Sequence, residues 1–246
     1  MPSTAVPCAN RYFALVPCAG VGERAGLDVP KQYAPIGSRS MVAHTLAALA
    51  QVSRLQATLV VLAPGDRDFV RHAPGFDGEG AWVAHCGGLS RAQTVINGLG
   101  ELSRRGAVAS DWVLVHDAAR CLLRAAWVDR LIDACAADPV GGLLALPLAD
   151  TLKQARGNRV MHTLSRADKW AAQTPQMFRL GLLQQALAKS GAGVTDEASA
   201  VEAGGHAPLL VPGELENFKL TWPSDLVLAA TLLQAREAVP MEGARQ

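Results

Sequence analysis

The chain has 246 residues, half of them hydrophobic and 18% charged, and its 23 basic and 22 acidic side chains leave a net charge of +1. That length can bury a substantial core, and the charge balance excludes a disordered chain and a general nucleic-acid surface, so any anion site must be local. Five dispersed cysteines (Cys8, Cys18, Cys86, Cys121 and Cys135) form no Cys-x-x-Cys pair. They fit reduced thiols better than a disulfide frame or a zinc site, and no secretory pattern or long apolar run is present, so a soluble cytoplasmic protein with no membrane partner is expected.

In chain order, residues 1–10 read as a loose tail. Tyr12 to Val16 is an apolar strand that ends at Pro17 and opens into a loop with Gly20, Gly22 and Gly26, followed by Pro30 and Lys31. Glycines leaving a strand let backbone N–H groups approach a phosphate, and Arg24 and Lys31 add two cations to that loop. The spacing is neither a P-loop nor the dinucleotide fingerprint, whose third glycine would fall before Gly26. A nucleoside triphosphate site is the reading, with a tight turn as its plain alternative.

Ser40 to Val52 has helical spacing, Thr58 to Leu62 is a buried strand stopped by Pro64-Gly65, Asp66 to His72 is a short helix, and Ala81 to His85 is a third strand. Gly87-Gly88 is a turn, and Ser90 caps a helix carrying Val95, Ile96 and Leu99 on one face. Strand Trp112 to Val115 runs into His116-Asp117-Ala118-Ala119-Arg120, followed by helix Trp127 to Ala137 and strand Gly142 to Leu146. This alternation predicts a Rossmann-like, mostly parallel sheet with helices on both faces.

The alternation stops at Pro147. Asp150 to Ala155 and Val160 to Ser165 flank Gly157-Asn158, a favoured two-residue hairpin turn, and the flanks are too polar for a private core. A projecting β-hairpin arm at about 148–170 that packs on a second subunit is expected, with a hairpin folded back on its own domain as the plain alternative, within one domain spanning 1–246. Phe178 to Lys189 and Thr195 to Ala203 read as helices, Pro208 to Val211 as a strand, and Leu226 to Ala235 as a closing helix capped by Ser224-Asp225, before a charged tail from Val239. His44, His72, His162 and His206 have no ligand spacing.

Asp117 follows a buried strand at its carboxyl end, the edge where open α/β sheets bind ligands, and a carboxylate there suits Mg²⁺ shared with phosphate oxygens. Arg120 can balance that charge or touch phosphate. Four further strings extend the pattern: Gly87-Gly88-x-x-Arg91-x-x-Thr94-x-x-Asn97-Gly98; Asp150-Thr151-x-Lys153 with Arg166 and Trp170-x-x-Gln173-Thr174-Pro175-Gln176-x-Phe178; Thr195-Asp196-Glu197-Ala198-Ser199; and Asn217-x-Lys219-x-Thr221.

Together with the glycine loop, these strings resemble the 2-C-methyl-D-erythritol 4-phosphate cytidylyltransferases over about Tyr12 to Leu228. Cys121 stands where that family usually has Pro, and Thr94 where it usually has Ser. The resemblance implies CMP transfer from CTP to methylerythritol 4-phosphate, with release of pyrophosphate, in the non-mevalonate isoprenoid pathway. It implies that Pro17, Cys18, Ala19, Gly20, Gly22, Gly88, Thr94, Asp117 and Ala118 hold CTP. Arg24, Lys31 and Lys219 would act on phosphate charge, Asp117 would hold Mg²⁺, Arg120, Thr151, Arg166 and Thr195 would bind the acceptor, and an arm-locked homodimer would form. A nicotinamide oxidoreductase fits poorly, because the second strand ends Leu62-Ala63-Pro64 without an acid. A non-catalytic nucleotide-binding protein and a CDP-polyol synthase such as one for CDP-ribitol are the other readings.

Overall fold

The computed structural model describes residues 10–20, 30–76, 78–189 and 194–238. The two expected tails, except Asn10, and the loop positions Gly22, Arg24 and Gly26 lie outside the described residues. The elements are β1 (Tyr12–Cys18), β2 (Pro35–Ile36), β3 (Arg39–Ser40), α1 (Met41–Ala50), β4 (Leu55–Leu62), α2 (Phe69–His72), β5 (Ala81–Ala84), α3 (Arg91–Arg104) and β6 (Trp112–Val115). They continue with α4 (Ala125–Cys135), β7 (Gly141–Pro147), β8 (Leu152–Arg156), β9 (Arg159–Leu164), β10 (Trp170–Arg179), α5 (Leu180–Lys189), α6 (Glu197–Ala203), β11 (Leu209–Pro212) and α7 (Pro223–Ala238).

Seven strands form one sheet in the order β11-β7-β10-β6-β1-β4-β5. β1 pairs in parallel with both β4 and β6, β4 with β5, and β7 with β11. β1 is apolar almost throughout because both of its faces are covered. Tyr12, Ala14 and Val16 face one way, with Val42, Leu46 and Leu49 of α1 and Val128, Leu131 and Ile132 of α4. Phe13 and Leu15 face the other way, with Val95, Leu99 and Leu102 of α3 and Leu183 and Leu187 of α5. The two-residue period of the strand thus feeds two separate helix layers. A third cluster joins Ile36, Met41, Cys121, Leu122 and Leu220 to Ala229 of α7.

Local chemistry fixes the helix starts. Ser40 Oγ accepts from Ala43 N at 3.2 Å, and Ser90 Oγ accepts from Gln93 N at 3.1 Å. Asp196 and Ser199 form a reciprocal capping box on α6. Within α3, a Cβ at Gly98 would lie 2.7 Å from Leu15 Cδ1 and 2.8 Å from Val61 Cγ2, so the helix sits directly on β1 and β4 at this residue.

Two readings need correction. The helix expected from Phe178 begins at Leu180, and residues 170–179 are β10, an antiparallel strand between β6 and β7. Pro175 hid it, since a proline inside a strand removes a ladder donor. The sheet accommodates the proline by breaking its β7 pairing between Ala172 and Gln176. The closing helix starts at Pro223, three residues before Leu226, so Ser224 and Asp225 lie inside it, with Asp225 accepting from the N–H groups of Thr221 and Trp222.

The hairpin forms as read. β8 and β9 pair in antiparallel fashion from Leu152–Leu164 to Arg156–Arg159, and Gly157 takes a φ of +56° in the turn. This pair is a separate sheet, β9 is exposed along its whole length, and Val160 and Met161 are among its exposed apolar side chains.

Candidate active site

In the sheet, β1 leads through α1 to β4 on one side, whereas β6 lies on its other side. The carboxyl ends of β1 and β6 therefore diverge at a topological switch point, where such sheets open a crevice for ligands. A cavity of about 480 Å³ lies there. It is lined by Pro17 and Cys18 at the end of β1, by Ala19 and Gly20 after it, by Lys31, by Gly88, Arg91 and Thr94 around the start of α3, by Asp117 and Ala118 after β6, and by Lys219. Sequence reasoning assigned ten of these residues a role in the site, from five separate stretches of chain.

Asp117 is the centre of its charge. Its Oδ1 accepts from Arg91 Nε at 2.8 Å and its Oδ2 from Lys219 Nζ at 2.7 Å. Burial alone would raise this carboxyl, but Arg91 and Lys219 outweigh it and hold the group far below the usual carboxylate range. Arg91 turns its two terminal nitrogens to Glu197, at 2.6 and 3.0 Å. Burial pushes Glu197 up, and Arg91 opposes that shift. Arg91 appeared in the sequence only as part of the Gly87-Gly88 string, and Glu197 only within the Thr195 string. Neither was singled out, because their pairing joins residues 106 positions apart.

The backbone under Asp117 is also tied. Its N–H donates to Thr174 Oγ1 at 3.1 Å. Thr174 Oγ1 lies 3.1 Å from His116 Nδ1, and His116 Nε2 lies 3.2 Å from the Arg120 carbonyl. That carbonyl can only accept, so Nε2 carries the ring proton and the Thr174 hydroxyl donates to Nδ1. Complete burial lowers the His116 pKa to about 4 and keeps the ring neutral.

The segment bearing Lys219 is fastened alongside. Leu220 N donates to the Ala119 carbonyl at 2.9 Å, and buried Asn217 donates through Nδ2 to the Thr174 carbonyl at 2.9 Å. Arg120 donates to the carbonyls of Asn217, at 2.6 Å, and Ala172, at 3.1 Å. Its terminal nitrogens therefore pin this segment to β10. The turn after Arg120 is firm without a proline, because Cys121 is buried in the third cluster, where burial raises its thiol pKa to about 12.

Lys31 begins a single 3-10 turn, Lys31–Tyr33, after Pro30, and Tyr33 N closes the turn on the Pro30 carbonyl at 2.8 Å. The Thr94 hydroxyl points inward, donating to the Ser90 carbonyl at 2.9 Å and accepting from Gly88 N at 3.1 Å. It shapes the Gly88 turn. Thr151, Arg166 and Thr195 are all exposed, and none of the three lines the cavity.

The model of the family "2-C-methyl-D-erythritol 4-phosphate cytidylyltransferase" matches residues 12–235. This chain belongs to that family. A 2-C-methyl-D-erythritol 4-phosphate cytidylyltransferase of Paraburkholderia phymatum is 49% identical over 230 residues, covering 91% of this chain and 97% of the relative. A bifunctional enzyme IspD/IspF of Albidiferax ferrireducens is 54% identical over 96% of this chain, which spans only 57% of that longer protein. Among solved structures, a 4-diphosphocytidyl-2C-methyl-D-erythritol synthase superposes with a TM-score of 0.82 at 40% identity, covering 92% of this chain and 99% of the other. The Francisella tularensis cytidylyltransferase gives 0.77 at 31% identity, with 89% and 98% covered. In this cytidylyltransferase family member, the switch-point cavity brings Gly20, Lys31, Gly88, Asp117 and Lys219 together.

Proposed function

We infer that the chain transfers CMP from CTP to 2-C-methyl-D-erythritol 4-phosphate, giving 4-diphosphocytidyl-2-C-methyl-D-erythritol and pyrophosphate. The observation that carries the chemistry is the charge of the cavity: Lys31, Lys219 and Arg91 line it together with Asp117, the only carboxylate among the described residues that do so. The acceptor is already a phosphate anion, so its oxygen can attack the α-phosphorus without a general base. Asp117, held ionised by two cations, would make a poor base in any case. The obstacle is repulsion between anions and the charge that grows on oxygen as the bond to pyrophosphate breaks, and preorganised cations reduce both.

A divalent cation, taken as Mg²⁺, fits Asp117. Mg²⁺ needs one or two carboxylates with phosphate oxygens and waters, and each Asp117 oxygen keeps a lone pair beyond its bond to Arg91 or Lys219. Among the described residues there is no group of three His, Cys, Asp or Glu that could hold a metal alone, so the nucleotide would complete the set. When bound, the ion would neutralise triphosphate charge. Arg24, with Lys31 and Lys219, is assigned to the phosphates. Pro17, Cys18, Ala19, Gly20, Gly22, Gly88, Thr94, Asp117 and Ala118 are assigned to CTP.

Arg120, Thr151, Arg166 and Thr195 are assigned to the acceptor, with Arg166 serving the site of a second subunit. The chain works as one nucleotidyltransferase domain, with the exposed hairpin as an arm that interlocks two copies. An isolated two-stranded arm of this polarity is marginal in water, which supports a partner surface. A cytoplasmic enzyme is consistent with this reading, and among the described residues no helix is long and apolar enough to cross a membrane.

Pyrophosphate release from CTP, compared between methylerythritol 4-phosphate and ribitol 5-phosphate, tests the function. Faster release with methylerythritol phosphate supports the reading. Preference for ribitol phosphate would make the enzyme a CDP-polyol synthase.

A further inference from the structure

The two cations on Asp117 are held in different ways. Lys219 makes one contact to Asp117, at 2.7 Å, and its side chain is 45% exposed. Arg91 uses three nitrogens: Nε on Asp117 and its two terminal nitrogens on the two oxygens of Glu197. A bidentate carboxylate fixes both the direction and the plane of a guanidinium. The Glu197 side chain is 1% exposed and stands on the first turn of α6.

That turn is itself anchored to the sheet. Gln176 of β10 donates to Asp196 Oδ2 at 2.8 Å and accepts from Ala198 N at 2.7 Å, on either side of Glu197. The clamp therefore stands on β10, the strand that also carries Thr174 beneath Asp117. Two negative and two positive side chains balance in the four-membered cluster. Removing the Glu197 charge would leave Arg91 with one unit of positive charge to share with any anion entering the cavity. Asp117 would then depend more heavily on Lys219.

We propose that Glu197 is a positioning residue of the transfer reaction, clamping Arg91 onto Asp117 so that Lys219 is the cation left to turn from Asp117 to the nucleotide phosphates. The proposal rests on the CMP-transfer reading. Glu197 touches neither substrate in this role and acts through Arg91. Its loss should therefore slow the chemical step more than it weakens nucleotide binding.

Glu197→Gln keeps the shape and one acceptor but cannot hold both Arg91 nitrogens. With methylerythritol phosphate as acceptor, kcat is expected to fall about tenfold, with KM for CTP, and CTP affinity by calorimetry without acceptor, within about threefold of wild type. In an Arg91→Lys background the same change should add little, because the clamp is already gone, whereas in a Lys31→Ala background its effect should multiply in full. Unchanged kcat, a loss confined to KM, or an undiminished effect beside Arg91→Lys would overturn the proposal. Circular dichroism and thermal unfolding establish whether Glu197→Gln folds. Where it does not, Arg91→Lys alone decides: a kcat-selective loss supports the clamp and a KM-selective loss overturns it. Failure of wild-type enzyme to release pyrophosphate with either polyol phosphate would instead remove the parent reading, so the two failures are distinguishable.

Discussion

The nucleotide side of the site and the arm side are built in opposite ways. Around Asp117, residues from the loop after β6, α3, α6 and the segment before α7 meet in bonds of 2.6–3.0 Å, and Thr174, Asn217 and Gln176 fix the backbone beneath them. Along β8 and β9 almost every residue is exposed, and the hairpin forms a sheet of its own. One chain suffices to order the first region. The second has its shape while staying exposed along almost its whole length, and this contrast locates what a second chain would have to supply.

The largest effect is expected where the ordered half is broken. Asp117→Asn keeps the size of the side chain but removes the charge that holds Arg91 and Lys219 and would attract a hard cation. Turnover should fall by at least about a hundredfold, with weak CTP binding retained. A mutant whose activity and Mg²⁺ titration match wild type would move the metal elsewhere. Lys31→Ala comes next, with the fold intact by circular dichroism and a loss of about 2.7–4 kcal/mol in transition-state stabilisation, the scale of one preorganised donor. Near-wild-type kcat at saturating CTP and Mg²⁺ would remove Lys31 from the phosphates.

The other half is tested by complementation. Lys31→Ala and Arg166→Ala chains, unfolded and refolded together in equal amounts, should recover about a quarter of wild-type activity if Arg166 serves its partner's site. About half of the dimers would then be mixed, each with one intact site. No recovery, with mixed dimers verified by mass, would return Arg166 to its own chain.

The smallest effect sharpens the ordered half again. Burial holds the His116 pKa at about 4, below the usual imidazole value of 6.5, so its contribution to stability is present above pH 6.5 and is lost as pH falls toward 4. Metal-free protein in EDTA should lose about 2 kcal/mol between pH 6.5 and 5 from this group, by urea titration. A His116→Gln variant with the same slope would assign the effect to other groups.

Much of this was legible in the sequence for a physical reason. β1, β4 and β6 are buried on both faces over almost all of their length, so their apolar runs stand out between helical spacings, and ligand residues lie at or just beyond the ends of β1 and β6. The exposed hairpin was legible from Gly157-Asn158 alone, because its turn is local. β10 was not legible, since Pro175 interrupts it and its pairing partners are distant in sequence. Glu197 escaped for a related reason: beside Asp196 in a first turn it reads as a partner of the helix dipole, and only the fold reveals Arg91 opposite it. Arg120 reads in the sequence as balancing the Asp117 charge or touching phosphate, whereas its bonds to the Asn217 and Ala172 carbonyls join segments far apart in sequence and only the fold reveals them.

The contact at Gly98 gives the sheet mechanical leverage over the chemistry. Alanine at this point in α3 would gain about 1 kcal/mol in helix propensity, yet its methyl would meet Leu15 and Val61 at under 3 Å. Both contacts are to ends of fully buried side chains packed between the sheet and α3, so relief divides between those side chains and an outward shift of the helix. Arg91 lies seven residues away on the same rigid rod, roughly 10 Å along its axis. A displacement of a few tenths of an ångström at Gly98 is transmitted to a guanidinium whose bonds to Asp117 and Glu197 have little slack. A neutral methyl group placed far from the nucleotide, in a position where it would ordinarily strengthen a helix, thereby acts as a brake on the reaction.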